Sequence, residues 1–287
     1  MAKKLEGKVA VVTGAASPRG VGREVAKAMA TEGAKVVVND IGKGPDGAYA
    51  ADKVVEEIKK TNGVAVANYD TVATMAGGEN IINTAISNFG KIDILVNTAG
   101  NTFPAPFPDI TEEQWDAIMD VHIKGHFSCS KAAIPHMMKQ KSGRIINFSS
   151  RGAFFTSGRN FAYSSAKAGV MGFTVALSNE FKDYNITANC ILPSAVTQLF
   201  PQEKTKTSSN MPLASDYSPE FVAPIVVYLA TDEAKEITGQ FIYAGGEDLC
   251  IYAAPFVVPP AHAFIRKAGK WTVDELIEAI PPLAGLG

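Results

Sequence analysis

Cysteine is scarce. Cys129, Cys190 and Cys250 are the three in 287 residues, spaced by about 60 positions with no C-x-x-C pair. That spacing argues against a disulfide framework and a zinc site, and leaves reduced, packed thiols in a cytoplasmic protein as the expectation. Neither sign of charge prevails. Lys and Arg number 27 against 29 for Asp and Glu, a formal net charge of −2. No block of like charge is long enough to draw a nucleic-acid backbone or an anionic lipid surface, so neither is expected as a partner. A long hydrophobic run is also missing. The longest uncharged stretch near the C-terminus, Leu249 to Phe264, holds three prolines and is shorter than the ~20 apolar residues of a spanning helix. The apolar run Val9–Val12 has Glu6 and Lys8 beside it and is too short for the ~7–15-residue core of a signal peptide, so it reads as a first strand.

There is no repeat, linker or low-complexity tract. The length admits two domains at ~150 residues each, but the chain reads as one continuous domain over 1–246, followed by a C-terminal extension over 247–287. That extension contains the proline-rich Ala253–Pro260 and an amphipathic run, Val273–Ile280. It is read first as a subunit contact and second as a lid over substrate.

What is present is apolar material: 46% of residues are hydrophobic and 20% charged, enough for a sizeable core. Seven short β-branched runs recur, at Lys8–Thr13, Lys35–Asn39, Val64–Asn68, Asp93–Asn97, Arg144–Ser149, Ile186–Leu192 and Gln240–Tyr243. Most lack apolar/polar alternation, as strands buried on both faces do. Segments with helical spacing alternate with them: Val21–Thr31, Ala48–Lys60, Gly78–Phe89, Glu112–Met138, Ala162–Phe181 and Pro219–Ala230. Alternation of this kind predicts a doubly wound, mostly parallel seven-stranded α/β sheet of Rossmann type, helices on both faces, with ligands beyond the carboxyl ends of the strands.

The motifs fall at those ends. After the first strand comes Thr13-Gly14-Ala15-Ala16-Ser17-Pro18-Arg19-Gly20-Val21-Gly22, leading into a helix. Glycines there permit a tight turn and let a pyrophosphate approach the helix N-terminus, although a bare turn would also use them. Asp40, at the end of the second strand, can accept both ribose hydroxyls of NAD and would repel the extra phosphate of NADP. NAD is therefore expected over NADP. Arg19 weighs the other way, as a cation able to meet a 2′-phosphate, unless it lies in solvent or on the pyrophosphate. Asp70, after the third strand, suits either the adenine edge or the N-cap of a helix beginning near Thr71, and Thr71 is a further candidate cofactor contact. Asn97, Thr98, Ala99 and Gly100 end the fourth strand with small residues, as close passage past a cofactor requires.

Tyr163 and Lys167 are four apart at the start of a helix and so share a face. Ser150 stands thirteen residues before Tyr163, just after a strand. An alcohol oxidised near pH 7 by a tyrosine of free pKa ~10 demands a shift of ~3 units, about 4 kcal/mol. An ammonium ~5 Å away at an effective dielectric of ~20 supplies about 3 kcal/mol, and a positively charged nicotinamide adds to it. Ser150 would hold the substrate oxygen through a hydrogen bond that strengthens as alkoxide character grows.

With these residues the chain resembles the short-chain dehydrogenase/reductase family over about residues 6–246. The family's glycine loop maps to Thr13, Gly14, Gly20 and Gly22, its Asn-x-Ala-Gly to Asn97–Gly100, and its Ser/Tyr/Lys set to Ser150, Tyr163 and Lys167. The segment that closes over the nicotinamide maps to Pro193, Val196 and Thr197. Softer matches at Val37–Asp40, Val66–Asp70, Val121–Gly125 and Tyr217–Pro224 resemble the dehydrogenase domain of the multifunctional enzymes type 2 of fatty-acid β-oxidation and its bacterial relatives. That resemblance implies an NAD-dependent enzyme on a 3-hydroxyacyl-CoA thioester, assembled as a homodimer or homotetramer.

Four departures stand out. The loop has five residues between Gly14 and Gly20 instead of three, Thr98 replaces a second Asn, His122 replaces the relay asparagine, and Ser194 replaces a glycine after Pro193. His122 is thus a candidate for proton exchange, with orienting or packing roles equally open. A metal at His122 and His126 is not expected, since no third ligand is evident. Phe103, Phe154, Phe155 and Phe161 are candidates for an acyl pocket. Arg151, Arg159, Lys204 and Lys206 are candidates for CoA phosphates or a carboxylate, with solvated charge the commoner reading. Two rivals remain: a dehydrogenase of a hydroxysteroid, sugar or cyclic alcohol, and a catalytically silent nucleotide-binding subunit.

Overall fold

The computed structural model describes residues 3–154, 158–201 and 216–252. In chain order these form β1 (Val9–Thr13), α1 (Val21–Thr31), β2 (Lys35–Asn39), α2 (Ala50–Lys60), β3 (Val64–Asn68), α3 (Met75–Phe89) and β4 (Ile94–Asn97). There follow α4 (Glu112–Met119), α5 (Gly125–Gln140), β5 (Gly143–Phe148), α6 (Phe161–Glu180), β6 (Ile186–Pro193), α7 (Ala223–Leu229), β7 (Phe241–Gly245) and β8 (Asp248–Tyr252).

All eight strands join one sheet in the order β3-β2-β1-β4-β5-β6-β7-β8. Every pairing from β3 through β7 is parallel. The chain winds outward from β1 to β3, then crosses back to place β4 on the other side of β1. The crevice beyond the carboxyl ends of β1 and β4 is therefore the topological switch point, where a doubly wound sheet takes its ligand.

The strands read as continuous apolar runs because both sheet faces are covered. Side chains alternate across the pleat, so Ala10, Val12, Val36, Val38, Ile94 and Val96 enter one core while Val9, Val11, Val37 and Leu95 enter the other. Each fully buried Val, Leu or Ile contributes about 1.5–3 kcal/mol relative to exposure. The helices α1, α2 and α7 cover the first face, and α3 and α5 the second.

Two elements differ from the sequence expectation. The sheet has eight strands, not seven: β8 follows β7 across Gly246 and Glu247, a connection only long enough for a hairpin, with Gly246 at φ 56°. Leu249 and Ile251 in it are about 60% exposed, so this edge strand lacked the buried apolar signature of the others. The predicted helix over 112–138 is interrupted by a π-helical segment, Asp120–Lys124, between α4 and α5. A capping box, Thr111 with Gln114, starts α4.

The chain divides into two compact units, Met1–Ile251 and Tyr252–Gly287. The second lies outside the described residues apart from Tyr252, and with it the proline-rich and amphipathic segments of the extension. No helix among the described residues is long and apolar enough to cross a membrane.

Candidate active site

A cavity of about 740 Å³ opens at the carboxyl ends of β1, β4 and β5. The glycine loop forms one end of it. Gly14 has φ 60°, and a Cβ there would stand 2.6 Å from Ala99 Cα; a Cβ on Gly22 would stand 2.5 Å from Thr98 Oγ1. Only glycine lets β1, β4 and α1 close together here. Gly20 caps α1 without any side-chain hydrogen bond, so the first amides of α1 meet the cavity with no side-chain acceptor of their own. That is a ready anion site, and the residues present fit a pyrophosphate. Ser17, Val21, Thr71, Ala99 and Gly100 also line it.

Asp40 does a second job beside the one expected. Its Oδ2 accepts from Ala16 N at 2.9 Å and its Oδ1 from Gly42 N at 2.8 Å. One carboxylate thus pins the glycine loop and its own loop, and each oxygen keeps a lone pair for a ribose hydroxyl. Arg19 is exposed and Asp70 half-buried; neither lines the cavity. The carboxylate of Asp70 accepts from Asn68 at 2.8 Å and Asn80 at 3.1 Å, and the cap of α3 is Thr74, which accepts from Gly77 N. The N-cap alternative for Asp70 is therefore set aside.

Asn97 likewise stays out of the cavity. Its amide donates to Asn147 at 2.9 Å, and Asn147 donates to Thr174 at 3.0 Å, a buried ladder between strands and α6. Thr13, whose role the sequence did not announce, accepts from the amides of Thr98 and Ala99 through its hydroxyl, both at 3.2 Å. Thr98 in turn donates to Thr13 O, so the change from asparagine keeps the turn closed.

The chemical residues converge at the other end of the cavity. Ser150 follows β5 and its hydroxyl accepts from Gly152 N at 3.0 Å. Ser150 and Tyr163 line the same end of the cavity. Lys167, one turn beyond Tyr163 on α6, has its Nζ 5.6 Å from the Tyr163 ring centre and donates to Phe148 O at 2.7 Å. Ser149 donates to Lys167 O at 2.7 Å, which ties α6 to the strand end. His122 stands edge-on to Tyr163 with ring centres 5.4 Å apart, its Nε2 2.9 Å from Asn101 O. A Cβ on Gly100 would stand 2.8 Å from the His122 ring, so that glycine is what admits the imidazole.

The electrostatics correct one expectation. Burial pushes Tyr163 up to about 12, against which the Ser150 hydrogen bond works, and burial pushes Lys167 down to about 8. The chain's own groups therefore do not acidify the phenol, because the desolvation of the buried side chain outweighs what they give back. Burial, then the charge of Lys167, holds His122 well below the ordinary imidazole range, so it is neutral at pH 7.

At the substrate side, Pro193 ends β6, and Thr197 lines the cavity beside Phe200, whose ring lies 5.8 Å from that of Tyr163. Val196 donates to Tyr217 O at 2.8 Å and does not line the cavity. Ser17 donates to Gln198 at 3.0 Å, linking the glycine loop to this segment. Ser194 is held by Arg151 at 2.9 Å, and the Arg151 guanidinium lies 5.0 Å from the Tyr243 ring centre. Phe103, Phe154 and Phe161 are surface-exposed and outside the cavity; Phe161 packs edge-on against Phe107. Arg159 has a positive φ and its carbonyl accepts from Ala105 N. Phe155, Lys204 and Lys206 lie outside the described residues. No group of three or more His, Cys, Asp or Glu side chains among the described residues is placed to hold a metal.

The family model for short chain dehydrogenases matches residues 8–208, and the chain belongs to that family of nicotinamide-dependent oxidoreductases. It is 39% identical over 249 residues to a short-chain type dehydrogenase/reductase of Mycobacterium tuberculosis, covering 85% of this chain and 84% of that one. It is 41% identical over 247 residues to the peroxisomal hydratase-dehydrogenase-epimerase of Neurospora crassa, covering 85% of this chain but 26% of that much longer protein. A 3-oxoacyl-[acyl-carrier-protein] reductase of Thermotoga maritima is 34% identical over 248 residues, 85% of this chain and 98% of that one. The crystal structure of a short chain dehydrogenase from Mycobacterium avium superposes with a TM-score of 0.85 at 36% identity, over 98% of this chain and 96% of that one.

Proposed function

We propose that the protein is an NAD-dependent dehydrogenase interconverting a secondary alcohol and a ketone, with a 3-hydroxyacyl-CoA thioester as the substrate class. The observation that carries this reading is the convergence of Ser150, Tyr163 and Lys167 on one end of a cavity whose other end is the uncapped N-terminus of α1 beside Asp40. Gly14, Gly20, Gly22 and the amides of α1 would hold the pyrophosphate, Asp40 the ribose, and Lys167 and Thr197 the nicotinamide half. A nicotinamide dinucleotide bound there supplies the two-electron acceptor and a positive charge beside the phenol.

Tyr163 is the acid/base group. In the oxidation direction its Oη takes the hydroxyl proton as the carbon gives up hydride. Ser150 donates to the substrate oxygen and holds it there. Lys167 favours the phenolate, and its own lowered pKa keeps it near the point where it can pass a proton on. His122, being neutral, fixes the Asn101 turn beside the Tyr163 ring.

An acyl-CoA fits the half of the reading that the relatives support: they include, by name, multifunctional β-oxidation enzymes and an acyl-carrier-protein reductase. Its compartment is read as the cytoplasm, with Cys129 and Cys190 kept as buried thiols that burial pushes up to about 12, and its assembly as a homodimer or homotetramer. The test is a panel of 3-hydroxyacyl-CoA esters against free secondary alcohols, followed by nicotinamide absorbance with NAD and NADP in parallel. Turnover of the thioesters with NAD is expected; equal turnover of the free alcohols overturns the substrate class, and preference for NADP overturns the cofactor.

A further inference from the structure

The residue after Ser150 is a cation that the chemistry above leaves unused. Arg151 opens a single 3₁₀ turn, Arg151–Ala153, for which Ser150 is the N-cap. Gly152 N, in the middle of that turn, donates to Ser150 Oγ at 3.0 Å. A Cβ on Gly152 would stand 3.2 Å from Ser150 Oγ and 3.4 Å from Tyr163 Cε1, so the turn packs against both groups at once. Where the turn sits decides where the hydroxyl points, because the Gly152 amide occupies a lone pair of the oxygen and leaves the O–H to donate. Yet the turn is short and half-buried, closed by Ala153 N to Ser150 O and Phe154 N to Arg151 O, both at 3.1 Å. A functional group on such a turn needs support from a more rigid element.

Arg151 reaches that support. Its Nη2 donates to Ser194 Oγ at 2.9 Å, and the guanidinium lies over the Tyr243 ring, 5.0 Å from the centre. Both contacts belong to the sheet. Ser194 directly follows β6 and donates its N–H to Ala244 O of β7 at 2.8 Å, and Tyr243 is the preceding residue of β7. They are 3 and 1% exposed. A Cβ on Gly245 would stand 2.6 Å from both Ser194 Cβ and Tyr243 Oη, so that glycine is what lets the two side chains meet. A planar guanidinium can stack on a ring and donate in its own plane at the same time, which an ammonium cannot do. The contact also gives a use to one departure in the sequence: Ser194 stands where a glycine is expected, and a glycine has no hydroxyl to accept from Arg151.

We infer that Arg151 is a positioning residue for Ser150: held by Ser194 and Tyr243, it fixes the turn 151–153 to the carboxyl ends of β6 and β7 and so aims the serine hydroxyl. The inference rests on the role proposed for Ser150.

Two readouts test it, and the first is independent of that role. Arg151→Met keeps an aliphatic stem and removes the donor fork. A crystal structure of this variant is expected to show the turn displaced and Gly152 N beyond hydrogen-bond distance of Ser150 Oγ; a turn left in place overturns the inference. The second readout is kinetic, with 3-hydroxybutyryl-CoA and NAD. In Arg151→Met kcat is expected to fall about tenfold, the cost of a catalytic group displaced by a fraction of an ångström, while KM for NAD stays within about twofold. The same substitution in a Ser150→Ala background is expected to change kcat by less than about twofold, since the group that Arg151 places is already gone. A general loosening of the fold would lower kcat in both backgrounds alike, and that result overturns the inference. If Arg151→Met does not fold, Ser194→Ala, which removes only the acceptor, takes its place: a displaced turn and a kcat about threefold lower support the inference, and an unchanged turn and kcat overturn it. Absence of turnover of the thioester, or full kcat in Ser150→Ala, overturns the function proposed above and leaves the position of the turn to decide the inference.

Discussion

The His122 ring meets the Tyr163 ring at 89°, edge to face, and its Nε2 lies within hydrogen-bond distance of the Asn101 backbone. A neutral, buried histidine therefore props the phenol ring edge-on. Such a prop acts on geometry and not through its own protonation, because burial holds the ring neutral throughout the working range. His122→Leu removes one buried hydrogen bond, worth about 1 kcal/mol, so kcat is expected to fall about fivefold with KM nearly unchanged. The acid limb of the pH–rate profile should be the same in both proteins. An acid limb near pH 6 that disappears in the variant would show that His122 titrates during turnover.

Tyr163→Phe tests whether the chain is a catalyst at all. On the function proposed above the phenol exchanges a proton with the substrate oxygen, and general acid–base catalysis is worth about 10²–10⁴-fold. A loss of that size in the rate of NADH formation is expected, with dinucleotide binding by fluorescence retained. Turnover that survives intact would place the chemistry elsewhere and favour the silent-subunit reading.

Asp40 orders two loops, since the same carboxylate accepts from Ala16 N and Gly42 N, and on the proposed function it also chooses the cofactor. Asp40→Ser is expected to raise KM for NAD at least tenfold and to narrow the preference over NADP by a similar factor. Thermal unfolding should show a lower midpoint as well. A variant with unchanged NAD and NADP constants would mean that the ribose is bound by other residues.

The acid stability of the protein should carry the mark of His126. Burial pushes its imidazole down to about 3 from an ordinary value of 6.5, so the unfolded chain binds a proton between these pH values that the folded chain does not. Stability then rises with pH across that window and is fully present above about 6.5. Urea midpoints measured at pH 4.5 and 7 should differ more in the unaltered protein than in His126→Gln. Equal slopes in the two proteins would show that His126 is protonated in the fold.

The doubly wound sheet was legible because its signals are local: Val9–Thr13, Lys35–Asn39 and Ile94–Asn97 are apolar on both faces, and only strands between two helical layers need that pattern. Ser150, Tyr163 and Lys167 were legible for the same reason, since a strand end and one helical turn suffice to bring them near one another. Asn97 looked identical to a cofactor contact in sequence, yet its amide is spent on Asn147, fifty residues away. Asp70 suited an adenine contact or a cap, and Asn68 and Asn80 took its carboxylate. β8 escaped notice because an edge strand with one solvated face has no buried run to betray it.

The sequence alone determined what its periods and spacings encode: the alternation of strand and helix, the glycine turn and the helical face shared by Tyr163 and Lys167. Tertiary structure alone decided how far each ionisable group is removed from water. Desolvation depends on everything packed around a group, and for Tyr163 that burial reversed the shift its lysine neighbour suggested. His122 Nδ1 and His126 Nε2, buried and without a hydrogen-bond partner, belong to the same class of fact, since whether a buried polar atom has a partner is settled by chain segments far apart in sequence.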